Sequence, residues 1–167
     1  MEIVDLKPRT THLVLECFPS LSNSDLIDRY VLKTVMLESV AIIEDNLDYV
    51  ESLMESLMLI TGRELTFHIA SNPKQANSLI DRIISNEISV NAVLLDRKLR
   101  DEDDGDKLAE RLRTGGFKGV IIGISGQQIQ GTLESITQNG IHIPKTNSPY
   151  KDAGDIYNYL VSQGQPA

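Results

Sequence analysis

Three carboxylates, one hydroxyl and one ammonium group stand directly after short apolar runs in this chain. Glu44 and Asp45 follow residues 40–43, Asp96 follows 92–95, Ser125 with Gly126 follows 120–124, and Lys145 lies just beyond 141–143. Carboxylates brought together repel one another and hold each other's protons unless a cation sits among them. An all-oxygen donor set suits Mg2+, which binds through one or two carboxylates, water and phosphate oxygens. A carboxylate at such a centre can attack a phosphoryl group and form an aspartyl phosphate. Lys145 would then offset charge on the phosphoryl oxygens, and Ser125 could donate a hydrogen bond to one of them. The residue types complement each other, provided that the fold brings them to one place.

The pattern of the chain supplies such a fold. From Ser39 onward, continuous apolar runs alternate with amphipathic stretches. Continuous runs read as parallel strands covered on both faces, and the alternating segment 65–69 reads as a strand nearer an edge. Leu47, Val50, Leu53, Met54 and Leu57 form one helical stripe, with Gly62 placed to end it. Asn72 before Pro73 reads as an N-cap opening a second helix with Ala76, Leu79, Ile80, Ile83 and Ile84 on one face. Leu108, Ala109 and Leu112 mark a third helix, Ile129, Leu133 and Ile136 a fourth, and Ile156, Tyr157, Leu160 and Val161 a fifth. Five strands alternating with five helices predict an α/β fold, a (βα)5 doubly wound three-layer sandwich. In an open parallel sheet the site lies beyond the carboxyl ends of the strands, which is where these polar residues fall.

Composition narrows the function. The chain has 167 residues, enough for one domain with a short appendage. Sixteen Lys and Arg against 24 Asp and Glu leave a net charge of −8, which argues against direct nucleic-acid binding. A single cysteine, Cys17, makes no internal disulfide and fits a reducing compartment. The first five residues lack the basic end and apolar run of a signal peptide, and no apolar run approaches membrane-spanning length. A cytoplasmic protein without membrane insertion is therefore expected. Residues 1–38 read as an N-terminal extension, either an accessory strand and helix or a dimerisation or partner-binding arm. A further reading takes Met36 as the biological start. Residues 164–167 read as a frayed tail.

Four stretches together resemble the receiver domain of two-component response regulators: Val40-Ala41-Ile42-Ile43-Glu44-Asp45-Asn46, Val93-Leu94-Leu95-Asp96, Ile122-Gly123-Ile124-Ser125-Gly126 and Gly140-Ile141-His142-Ile143-Pro144-Lys145. The resemblance covers residues 39–163, with the motifs in family order. It implies a flavodoxin-like, five-stranded parallel sheet in the order 2-1-3-4-5. Asp96 resembles the phosphoacceptor, Asp45 the direct metal ligand and Glu44 the neighbouring acid that often acts through water. The backbone carbonyl of Lys98 corresponds to a further metal ligand, Ser125 to the switch hydroxyl and Lys145 to the phosphate-pairing lysine. The resemblance thus implies a Mg2+-dependent phosphoprotein in bacterial-type two-component or phosphorelay signalling. It would be phosphorylated by a histidine kinase or histidine phosphotransfer protein. It would act by protein–protein contact with a downstream partner, as a single-domain regulator, a phosphorelay intermediate or a homodimer through its last helix–strand–helix face. Such a domain is not an enzyme, although it catalyses its own phosphorylation and dephosphorylation.

Several features depart from the family. Proline usually follows the family's lysine, commonly with a cis peptide, whereas Thr146 stands here and Pro144 precedes. A cis bond before Thr146 would cost about 2.5–4 kcal/mol, so a rearranged loop is expected, with Lys151 as the alternative cation. His142 takes the place of an aromatic switch residue, and Arg100 that of a proline. The acidic run 101–104 invites a calcium-loop reading. Aligning Gly105 with that loop's glycine puts Arg100 first and Arg111 last, so a solvated loop is the better account. Other functions compete. A non-phosphorylated pseudo-receiver would keep the fold as a pure interaction module. A phosphohydrolase resembling the haloacid dehalogenases needs a second aspartate where Lys98 stands. A flavin binder needs a phosphate-cradling loop where Glu44 and Asp45 would repel phosphate.

Overall fold

The computed structural model describes residues 37–97, 99, 105–126 and 140–163. Contacts divide the chain into two compact units, Met1–Thr34 and Val35–Ala167, and the described residues all lie in the second. The expected N-terminal extension before Leu37, the helix around 129–136 with the dimer face that it would share, the Lys98 carbonyl, the acidic run 101–104 and the tail lie outside them.

Five strands, β1 (Ser39–Ile43), β2 (Thr66–Ala70), β3 (Ala92–Asp96), β4 (Val120–Ser125) and β5 (Gly140–Pro144), form one sheet. All pairs are parallel, and the order is β2-β1-β3-β4-β5, as the resemblance implies. Among the described residues four helices cover it: α1 (Leu47–Thr61), α2 (Pro73–Ile84), α3 (Gly105–Thr114) and α4 (Pro149–Gln163).

The three central strands, β1, β3 and β4, are buried on both faces, so their side chains divide between two cores. Val40, Ile42, Ala92, Leu94, Ile122 and Ile124 meet α1 and α4 through Val50, Leu53, Leu57, Ala153, Ile156 and Leu160. Ala41, Ile43, Val93, Leu95 and Ile121 meet α2 and α3 through Ala76, Leu79, Ile80, Ile83, Leu108, Ala109 and Leu112. This is the period-2 alternation of a strand, with apolar residues required on both sides. The alternating segment does become an edge strand, β2, with Ile69 exposed.

Local signals act where they stand in the sequence. The Asn46 side chain accepts from the Tyr49 amide at 3.1 Å and opens α1. Gly62 ends that helix at φ 63°, a left-handed conformation that glycine adopts without a Cβ penalty. Asn72 accepts from the Gln75 amide at 3.0 Å, with Pro73 in the first turn of α2. At the amino ends of the strands, Asn91 Oδ1 accepts from the amides of Glu38 and Ser39 at 2.8 and 2.9 Å, joining the starts of β1 and β3.

Candidate functional site

The site forms because β1 and β3 are neighbours in the middle of the sheet and end at the same level. Ile43 pairs with Leu95, so Glu44 and Asp45 leave β1 beside Asp96, the last residue of β3. One carboxylate oxygen from each of Glu44, Asp45 and Asp96 lies within 4.8 Å of the others. Asp45 is exposed, whereas Glu44 is fully buried and Asp96 is 7% exposed. Two acids thus sit under the surface and one opens to solvent.

Lys145 reaches this cluster although no proline follows it. Every described peptide bond is trans. Its backbone N–H donates to the Ser125 carbonyl at 2.9 Å, which ties the end of β5 to the end of β4. From there the ammonium donates to Asp96 Oδ2 at 2.8 Å and forms an ion pair with Glu44 Oε2. Lys151 does not take its place, because its ammonium pairs with Asp155 at 2.6 Å on the surface of α4. Ser125 is buried at the end of β4, one residue beyond the Asp96–Ile124 pair. Glu44, Asp45, Asp96, Ser125 and Lys145 therefore share one edge of the sheet.

Burial and charge oppose each other at these groups. Removal from water raises the Glu44 carboxyl above its ordinary value against the pull of Lys145, and the nearby Asp96 adds to the rise. Burial alone would lower the Lys145 ammonium. Its hydrogen bonds to Asp96 and Glu44, with their charges, outweigh that and leave it raised. The Glu44 side chain also accepts from the Asn46 amide at 3.1 Å, so the same loop opens α1 and orients the acid.

Two arrangements around the site were not read from the sequence. Asp152, fully buried in the first turn of α4, accepts from the Thr146 amide at 3.1 Å to each oxygen, from Thr146 Oγ1 at 2.7 Å and from the Tyr49 hydroxyl at 3.0 Å. Its position carries a signal, since Asp152, Ile156 and Leu160 recur every four residues and so share one face of α4. The second is Arg97, buried directly after Asp96, whose guanidinium grips Asp106 of α3 at 3.0 and 2.5 Å. Neither partner carries a motif, and only the folded strand end brings them together.

No family model matches the sequence, and no curated protein matches it. Solved structures do match the fold. A two-component response regulator from Legionella pneumophila is 18% identical, with a TM-score of 0.58, over 75% of this chain and 98% of that one. One from Clostridium difficile is 15% identical, with a TM-score of 0.57, over 77% and 99%. The CheX-CheY-BeF3-Mg2+ complex from Borrelia burgdorferi is 14% identical, with a TM-score of 0.59, over 77% and 90%. The described unit thus has the flavodoxin-like fold of response-regulator receiver domains, with an acidic cluster at the carboxyl edge of its sheet. No helix among the described residues is long and apolar enough to cross a membrane.

Proposed function

We propose that this chain is a phosphorylatable receiver of a two-component or phosphorelay system, with Asp96 as the phosphoacceptor. One observation carries the reading: Glu44, Asp45 and Asp96 offer three clustered oxygens at adjacent strand ends, with the Lys145 ammonium on the same acids. Oxygen donors of mixed burial fit Mg2+, which would be held by Glu44, Asp45, Asp96 and the Lys98 carbonyl. Bound there, the ion supplies positive charge to phosphoryl oxygens.

The chain's own residues do the rest. An Asp96 oxygen attacks the phosphorus of a donor, a histidine kinase or phosphotransfer protein, while the donor's bond to phosphorus breaks and its electron pair leaves with the donor. Lys145 exchanges its contact with the Asp96 carboxylate for one with a phosphoryl oxygen, and Ser125 donates a hydrogen bond to another. The added charge shifts a pre-existing equilibrium at the ends of β4 and β5, and a downstream protein reads the change. The domain acts on itself rather than as an enzyme on a separate substrate, in the cytoplasm.

A second reading, a pseudo-receiver that signals by binding alone, has its own support. Lys145 already engages both buried carboxylates and so offsets their repulsion without a metal ion. Intact mass after incubation with acetyl phosphate separates the two. A phosphoryl adduct that needs Mg2+ and is absent from Asp96→Asn is expected. No adduct, together with no response to beryllofluoride, would leave the pseudo-receiver.

A further inference from the structure

The residue after Lys145 departs from the family's proline, and the structure gives that departure a use. Thr146 brings two donors to Asp152, its amide N–H and its hydroxyl, and proline has neither. Its Oγ1 also accepts from the Ser148 amide at 3.1 Å, so the whole turn into α4 is gathered on one side chain. Asp152 is 0% exposed, and a carboxylate so placed depends on its donors for all that water would supply.

The remaining donor comes from across the fold. The Tyr49 hydroxyl of α1 meets Asp152 at 3.0 Å, while the face of the same ring lies 5.0 Å from Lys145 Nζ. Burial first, and then the charge of Asp152, push the Tyr49 hydroxyl well above its ordinary value, so it stays a donor under a neutral ring. A neutral ring face attracts an ammonium. One tyrosine therefore anchors the start of α4 by its hydroxyl and supports the lysine by its ring.

We propose that Tyr49, Thr146 and Asp152 are positioning residues that fix the β5–α4 connection and hold the Lys145 ammonium at Asp96. The proposal rests on the reading of Asp96 as a phosphoacceptor for its use, but not for its geometry. It makes proline the wrong residue at position 146 in this chain, because proline removes two donors from a buried carboxylate.

The test compares the full wild-type chain with Tyr49→Phe, Thr146→Ser and Thr146→Pro. The Lys145 ammonium resonance reports position without any ligand. It is expected to be protected from exchange in the wild type and Thr146→Ser, and broadened in Tyr49→Phe and Thr146→Pro. Calorimetry with Mg2+ alone, then with beryllofluoride at saturating Mg2+, reports use. In Tyr49→Phe the affinity for beryllofluoride is expected to fall about three- to tenfold with Mg2+ affinity unchanged, and to fall further in Thr146→Pro. Thr146→Ser should bind as the wild type does. An ammonium resonance unchanged in Tyr49→Phe overturns the proposal, as does a parallel loss of both affinities. If Thr146→Pro fails to fold, Tyr49→Phe and Thr146→Ser decide the matter alone. A wild type with a protected ammonium but no affinity for beryllofluoride supports the positioning role and overturns the phosphoacceptor reading instead.

Discussion

His142 shows how a single side chain in this sheet can carry a pH dependence. It lies on β5 beside Gly123, with Nε2 buried. Burial lowers its proton affinity below the ordinary value of 6.5, Arg97 lowers it further, and Asp106 works in the other direction. The folded protein therefore holds this imidazole neutral more firmly than the unfolded chain does. Its contribution is complete above the unfolded value and is lost as pH falls from there through the folded one. Urea midpoints at about pH 7.5 and about pH 5.5 should show a larger acid loss for the wild type than for His142→Phe. Equal losses in the two proteins would remove His142 from the account.

At the scale of elements, α3 and the end of β3 approach so closely that only a glycine fits between them. A Cβ on Gly105 would stand 2.6 Å from both the Asp96 carbonyl oxygen and the Arg97 Cα, backbone atoms that cannot turn aside. Alanine is the better helix former by about 1 kcal/mol, but the clash outweighs that gain. Gly105→Ala should therefore lose about 1–3 kcal/mol in urea unfolding by moving the strand end that carries Asp96. Wild-type stability in this variant would mean that α3 slides freely over β3. The elements themselves were largely legible, because Asn72-Pro73, Gly62 and the apolar runs are local signals that act where they stand. The site was legible to the level of residue types at strand ends. The Asp152 network and the Arg97–Asp106 pair were not, since each joins residues whose only common cause is the tertiary fold. The loss of the cis connection after Lys145 was legible from Thr146 alone, because a cis bond there is costly, but the contacts of Thr146 with Asp152 were not.

For the molecule as a whole, the proposed Mg2+ site would couple ion binding to folding. Any ligand held only by the native state stabilises it, by about 2.7 kcal/mol at a hundredfold excess over its Kd. Saturating Mg2+ should raise Tm by about 5–10 °C, and Asp45→Asn should abolish most of that rise. Equal shifts in both proteins would place the effect away from this cluster. The all-parallel pairing of the sheet has a separate consequence, for the speed of its formation. Ser39 must find Thr66 across a whole helix, and Val40 must find Ala92 across two. The described strands include no hairpin to start the sheet, so loop closure precedes each of their pairings. Refolding from denaturant should therefore take milliseconds to seconds rather than microseconds, with β1 the strand on which both the β2 and the β3 pairings wait.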